Sequence, residues 1–426
     1  MSSVTSLSFY GWKILAALWL VIFVNMAFPL YGGSVINSYM AADFDLDRKT
    51  LGLIFSVFVL MTGLPGPIAA VCVDKMGAKF TLIMGALAIV VSAILMGTVV
   101  NSSMTAIIVF GVMMGLGSLC GGLLSTQTCI AFWFVRRRAL SLSVIYMASS
   151  MGGIVAAPLL NFVISETGQW RMGWFLVAAL ACVSLMVIYF VVKNKPEDMG
   201  LLPDGDMPTE AIDPVDNAVQ KKEAPRVHIT QEDWTLPEVL RSPVLWGLFF
   251  STIGMVSGFT LFIGHGIVHL KDLGHSPAMA ATAMSIMVAG GMAGKAVVGY
   301  FGDRLEPRYL WIAGLVIFCF GLVWAVNATN IMDVVAFSFS IGVGSGAVMV
   351  LLMVTLSHYF GSKVFAQLTG LTLAILTMAS STSPLIGGYL YDLSGSYALA
   401  FYGLAGLCCM GIVTLLIIRP PTRQFS

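Results

Sequence analysis

Twelve runs of roughly twenty mostly apolar residues divide this chain, near 12–38, 50–72, 79–99, 104–132, 139–164, 172–193, 243–269, 277–301, 309–327, 332–357, 364–390 and 397–418. Such a run is long enough to cross the hydrocarbon of a bilayer as a helix. The expected class is therefore an all-α membrane protein with twelve transmembrane helices. Composition agrees. Only 10% of the 426 residues are charged and 58% are hydrophobic, with a mean hydropathy of +0.92, against about 25% charged in a soluble domain. A net charge of +1 gives nucleic acid nothing to bind; lipid is the expected surroundings. The seven cysteines fall in or beside apolar runs without metal-ligand spacing, so neither a metal site nor a disulfide framework is expected. The first run is too long for a signal peptide's apolar region and lacks an A-x-A-like site, so it reads as the first span.

An even number of spans puts both ends on one side. With the termini cytoplasmic, the inward segments hold seventeen Lys and Arg and the outward ones four, Arg48, Lys49, Arg171 and Lys271. Positive charge concentrates on the cytoplasmic side of membrane proteins, which sets both termini inside a cytoplasmic (plasma) membrane. The remaining cation is Lys295, within span 8.

One long polar, Pro-rich loop separates six spans from six. The expected division is an N-terminal bundle over 1–193, a cytoplasmic linker over 194–241 and a C-terminal bundle over 242–426. The linker's middle has the composition of a disordered segment, and WTLPEVLRS at 234–242 reads as a short interfacial helix. The halves repeat each other. VDKMGAK after span 2 matches GDRLEPR after span 8, MASS recurs in spans 5 and 11, and ISETGQW at 164–170 matches YDLSGSY at 391–397, all at offsets of 227 to 231 residues. Duplicated, pseudo-symmetric six-helix bundles place a substrate near mid-membrane between halves that rock about it.

The loop after span 2, AVCVDKMGAK, resembles the G-x-L-x-D-R-x-G-R-R/K signature of the major facilitator superfamily, keeping Asp74, Lys75, Gly77 and Lys79 with Ala70 in place of the leading Gly. GYFGDRLEPR keeps Gly299, Asp303, Arg304 and Arg308. The resemblance covers essentially the whole chain and implies the two-bundle fold and alternating access, without enzymatic activity. Asp74, Lys75, Lys79, Asp303, Arg304 and Arg308, with Arg137 from the connection between spans 4 and 5, are the expected gate. Its carboxylates and cations would pair across the bundles when the cytoplasmic face is closed. A plainer reading is that they are solvated positive-inside loops. Within the superfamily, YGW at 10–12, WFVRRRALSLS at 133–143, NKPEDMGLLPDG at 194–205, HGIVHLKDLGHSPAMAA at 265–281 and GGMAGKAVVGYFGDR at 290–304 are similar to the monocarboxylate porters and their bacterial oxalate/formate-exchanger relatives. That likeness implies a secondary transporter of small monocarboxylates, proton-coupled, with organic-anion exchange as the alternative and no cofactor.

Lys295 is the cation that could hold such a carboxylate. A lysine at the centre of a spanning helix costs about 2.5–3.5 kcal/mol on insertion scales. At about 1.5 Å per residue it lies about 12 Å from Asp303, so its stem could instead carry the ammonium toward headgroups. Gly290, Gly291 and Gly294 around it point to a face packed against protein. The resemblance adds that porters carry an Arg here as the carboxylate's partner; Lys offers a point charge without the planar fork. No Asp or Glu lies deep in a span, which leaves the route of a coupled proton open. Other candidate substrate contacts are Tyr31 and Ser34 in span 1, Ser125 in span 4, Tyr146 in span 5, Ser380 in span 11 and His265 near the outer end of span 7. Each polar group also has the plainer option of bonding within its own bundle. GVMMGLGSLCGG in span 4 reads as a helix-packing face, not a nucleotide loop.

Overall fold

A computed structural model describes residues 9–46, 48–205, 227–230 and 232–421. The middle of the expected linker, 206–226, and the terminal Arg423 lie outside the described residues. Among the described residues eleven helices are long and apolar enough to cross a membrane, and a bent pair supplies the twelfth span. In chain order these are α1 (Gly11–Asp43), α2 (Arg48–Met61 with Gly66–Met76), α3 (Ala78–Thr98), α4 (Ser103–Trp133), α5 (Arg138–Thr167), α6 (Trp170–Val191), α7 (Pro243–Asp272), α8 (Pro277–Phe301), α9 (Pro307–Ala325), α10 (Ile331–Phe360), α11 (Phe365–Ser394) and α12 (Ala398–Ile417).

Local sequence explains where these helices deviate. Pro29 has no amide to donate, and around it α1 widens into a π turn over Phe28–Gly32. Pro65 is the last residue of the turn that splits α2, whose two pieces meet at 41°. The repeat is visible in the caps: α5 ends at Gly168 (φ 66°) and α11 at Gly395 (φ 71°), both left-handed, where a side chain would be penalised. Each of these two helices also carries one internal proline, Pro158 and Pro384.

α1–α6 and α7–α12 form two six-helix bundles. The Tyr10 hydroxyl donates to the Val191 carbonyl (2.9 Å), and the Arg308 guanidinium donates to the carbonyl of Ile418. The start of α1 and the ends of α6 and α12 therefore share one face with the 2–3 and 8–9 loops, called the linker face below. The linker's described ends are docked there. Asp204 Oδ2 accepts from the amides of Val135 and Arg136 (3.0 and 2.8 Å), and the Thr230 amide donates to His358 O (2.8 Å). The short helix expected at 234–242 is present as Leu236–Arg241, its N-terminus closed by a Thr235–Glu238 capping box.

Small residues set the seam between the bundles. α11 lies along the second piece of α2, so close that a Cβ on Gly66 would collide with the Gly370 carbonyl oxygen. α5 lies along α8, where Gly302 abuts Ala139 and Gly299 abuts Ser143. These contacts are in the linker-side half, so the two bundles are closed against each other at the linker face.

Candidate functional site

At the linker face two carboxylates from equivalent loops cross to the opposite bundle. Asp303, just past α8, accepts from the backbone amides of Ala139 and Leu140 (2.7 and 3.1 Å) at the start of α5. A helix N-terminus offers unpaired N–H groups and the positive end of the helix dipole, which suits an anion. Burial nevertheless pushes the Asp303 carboxyl up to about 6, against those two amide bonds, which lower it; Asp204 raises it and Arg138 lowers it further. Asp74, near the end of α2, accepts from Gln367 Nε2 (2.5 Å) in α11.

The cations expected to pair with these carboxylates are engaged elsewhere. Lys79 Nζ donates to Tyr189 O (2.7 Å), and Arg304 donates to Tyr300 O (3.1 Å) and lies over the Tyr300 ring. Arg308 bonds the end of α12 and Tyr309 Oη, while Arg137 lies over the Trp12 ring. Lys75 is exposed at the end of α2. Among the described residues at the linker face, the cation whose hydrogen bonds cross between the bundles is Arg138, which the sequence does not single out. It is 1% exposed. Within its own bundle it donates to Phe134 O (3.0 Å) and Ala131 O (2.5 Å), and across the seam to Ser357 O (3.2 Å) and Ser362 Oγ (2.7 Å). A planar fork with several fixed donors can serve both bundles at once; an ammonium cannot. Arg138 and Gln367 stand 229 apart, as do Asp74 and Asp303, so they occupy equivalent positions in the two halves.

Deeper in the seam, Lys295 of α8 donates to Tyr146 O (3.2 Å) and Ser150 Oγ (2.5 Å), both on α5. Lys295 and Tyr146 are thus the two predicted substrate contacts brought together. The Tyr146 hydroxyl in turn accepts from Gln127 Nε2 (2.8 Å) of α4. Both partners of the ammonium are neutral oxygens, and no ion pair to Lys295 occurs among the described residues.

Between the bundles lies a cavity of about 200 Å³. Its wall is apolar on both sides, with Met26, Leu30 and Phe58 from one bundle and Val256 and Met349 from the other. Thr62, Ser118, Thr377 and Ser380 supply hydroxyl-bearing residues. Leu123 and Leu124 complete one side, at a break in α4. Span 4 was expected as one helix over 104–132. It contains a π stretch over Ile107–Met114, stops at Cys120, and restarts at Leu123 after the non-helical Gly122 (φ −119°, ψ −131°). Asn25 Nδ2 of α1 donates to the freed Gly121 carbonyl (3.1 Å), and Ser125 Oγ bridges back to Cys120 O (2.7 Å). The glycine-rich run is a packing face at Gly121, which presses on Gly85 of α3, but Gly122 is the break itself. The adjacent Gly-Gly pair in a spanning run was the signal for it.

The other predicted contacts are dispersed. Tyr31, in the π turn, packs on Gly153 and is 39% exposed; Ser34 bonds back to Tyr31 O (2.7 Å). His265 sits within the second bundle, its Nε2 against Pro384 O (3.0 Å) and its Nδ1 against the Tyr397 hydroxyl (3.0 Å). A ring nitrogen facing a carbonyl must carry the proton, so Nδ1 of a neutral His265 accepts from Tyr397.

A family model described as Major Facilitator Superfamily matches residues 14–270 and 266–426. Monocarboxylate transporter 12 of Rattus norvegicus is 24% identical over 92% of this chain and 82% of its own length. A probable sulfoacetate transporter of Cupriavidus necator is 22% identical over 91% of this chain and 89% of its own. Among solved structures, a proton:xylose symporter of the same superfamily superposes with a TM-score of 0.72 at 14% identity, over 96% of this chain and 95% of that one.

Proposed function

The chain belongs to the Major Facilitator Superfamily, and from that premise we propose that it is a secondary transporter that carries small monocarboxylates through the cytoplasmic membrane by alternating access. The linker face is the cytoplasmic one on the charge asymmetry of the loops, and its closure leaves the central cavity to be loaded from the other side. Asp74, Asp303, Gln367 and Arg138 form the cytoplasmic gate in this reading.

The observation that carries the substrate class is Lys295. An ammonium in the interior of a membrane protein persists where it has a function or a counter-charge, and here it is held by two neutral oxygens at the seam that must part during transport. An arriving carboxylate supplies the missing counter-charge. The aligned relatives named for monocarboxylate and sulfoacetate transport are carriers of small organic anions by name, which supports the same class.

The test is uptake of labelled lactate, pyruvate, acetate and formate into proteoliposomes holding the full chain, with and without an inward proton gradient. Lys295→Met is expected to lower uptake of the best substrate at least tenfold while the protein stays folded. Full uptake by that variant refutes the assignment. Proton-linked symport predicts stimulation by the gradient. The lack of any Asp or Glu deep in a span favours a second reading, organic-anion exchange, which predicts stimulation by internal carboxylate instead.

A further inference from the structure

The break in α4 has chemistry that neither Lys295 nor the gate uses. Its second arm, Leu123–Trp133, runs from the middle of the protein toward the linker face. Its N-terminus, the positive end of its dipole, therefore points inward at mid-membrane. The first turn of a helix has amides with no intrahelical acceptor, and no side chain caps this one. Leu123 and Leu124, which carry two of those amides, line the central cavity. Aqueous surface loops tolerate such a start readily, but in the membrane interior unpaired donors are costly.

A second observation is independent of the helix end. Ser118, one turn before the break and lining the same cavity, is 4% exposed, and its Oγ has no hydrogen-bond partner. A buried polar group is nearly always satisfied, and one that is not points to a missing partner. No charged residue lines the cavity. First-turn amides without a side-chain cap, an unpartnered hydroxyl and the positive end of a helix dipole together suit a small anion with oxygen acceptors.

We infer that the α4 break is a carboxylate-binding subsite, in which the amides of Leu123 and Leu124 and the hydroxyl of Ser118 hold the anionic oxygens while the apolar wall of Met26, Leu30 and Phe58 takes the substrate's body. The inference rests on the carboxylate reading above and gives the substrate a holding point inside the cavity, whose lining does not include Lys295. Half-helix N-termini at mid-membrane serve anionic groups in other transporter folds by the same physics.

The experiment is equilibrium binding of acetate, lactate and pyruvate to the purified full chain by calorimetry. Ser118→Ala is expected to weaken the best ligand about tenfold, the loss of one hydrogen bond to a charged acceptor. Ser118→Thr, which keeps a hydroxyl, should recover most of that loss, and Ser118→Asp should abolish binding by placing a like charge at the subsite. Should the Asp variant fail to fold, the Ala and Thr pair still decides. Wild-type binding that all folded Ser118 variants retain within twofold overturns the subsite alone. A wild type that binds no carboxylate overturns the carboxylate reading and this inference with it.

Discussion

Arg138→Lys retains the buried positive charge and removes the fork that spans the seam. In the closed linker face the guanidinium makes two inter-bundle bonds, to Ser357 O and Ser362 Oγ, and two within its own bundle. A hydrogen bond with a charged partner contributes about 1.5–3 kcal/mol. The lysine ammonium can keep at most part of this set, so the closed face loses at least one such bond, or about 1.5–3 kcal/mol. Because charge is conserved, desolvation of the cation, which confounds an Arg→Met comparison, largely cancels. The open-to-closed ratio at the linker face should therefore rise by at least about 10- to 100-fold, at 1.4 kcal/mol per factor of ten. Spin labels at Met76 and Leu305, both exposed and on opposite bundles, report the separation of that face by electron–electron double resonance. The wild type should give one short distance, and the variant a second, longer population. An unchanged distribution from a folded variant refutes the view that Arg138 holds the bundles together.

The same label pair tests Asp303. Its carboxyl, lifted to about 6 by burial in the closed state, binds protons more tightly there than in an open state where water reaches it. The sign follows: protonation favours closure, the advantage is complete below the ordinary carboxylate range, and it is lost as pH rises through about 6. The short-distance population should grow between pH 8 and pH 5, and Asp303→Asn should remove that dependence; equal pH responses in both proteins contradict the assignment. At the other half of the seam, Gly66→Val places a branched side chain against the Gly370 carbonyl. Overpacking of this kind costs about 1–3 kcal/mol, so the variant should fold, transport slowly and populate the longer linker-face distance. Wild-type uptake by it would show that α2 and α11 need not approach as closely as they do here.

The twelve spans were legible because a bilayer leaves a chain little choice: apolar length alone decides where it crosses. The repeat was legible for a similar reason, since Asp74 and Asp303, or Gly168 and Gly395, must do the same local job in each half. What sequence could not show is which partner each group meets. The carboxylates were expected to face Lys75, Lys79, Arg304 and Arg308, yet Asp303 takes the amides of Ala139 and Leu140, and backbone donors leave no mark in a sequence. Three consecutive arginines look alike on paper; only the fold turns Arg138 inward and leaves Arg136 and Arg137 exposed. Gly121 and Gly122 read as a packing face because close helix contact and a helix break both ask for glycine.

The duplicated halves divide the work unequally. The elements that recur at the repeat offset, Asp74 with Asp303, Arg138 with Gln367, and the left-handed caps of α5 and α11, all concern how the bundles meet and end. Features of the cavity and its seam do not recur. The position 229 residues before Lys295 is Gly66, where α2 bends and α11 comes closest. The break in α4 also lacks a counterpart, since α10 runs unbroken over Ile331–Phe360. A rocking motion needs matched surfaces on both halves, whereas a small anion needs one positive end and one apolar pocket. An anion shared between two identical cations would have to leave both at once, and a single strong anchor with a weaker helix-end partner lets it go in steps. On this argument, giving the first bundle a matching cation, by Gly66→Lys, should tighten carboxylate binding and slow transport together, quite apart from any loss of packing at the seam.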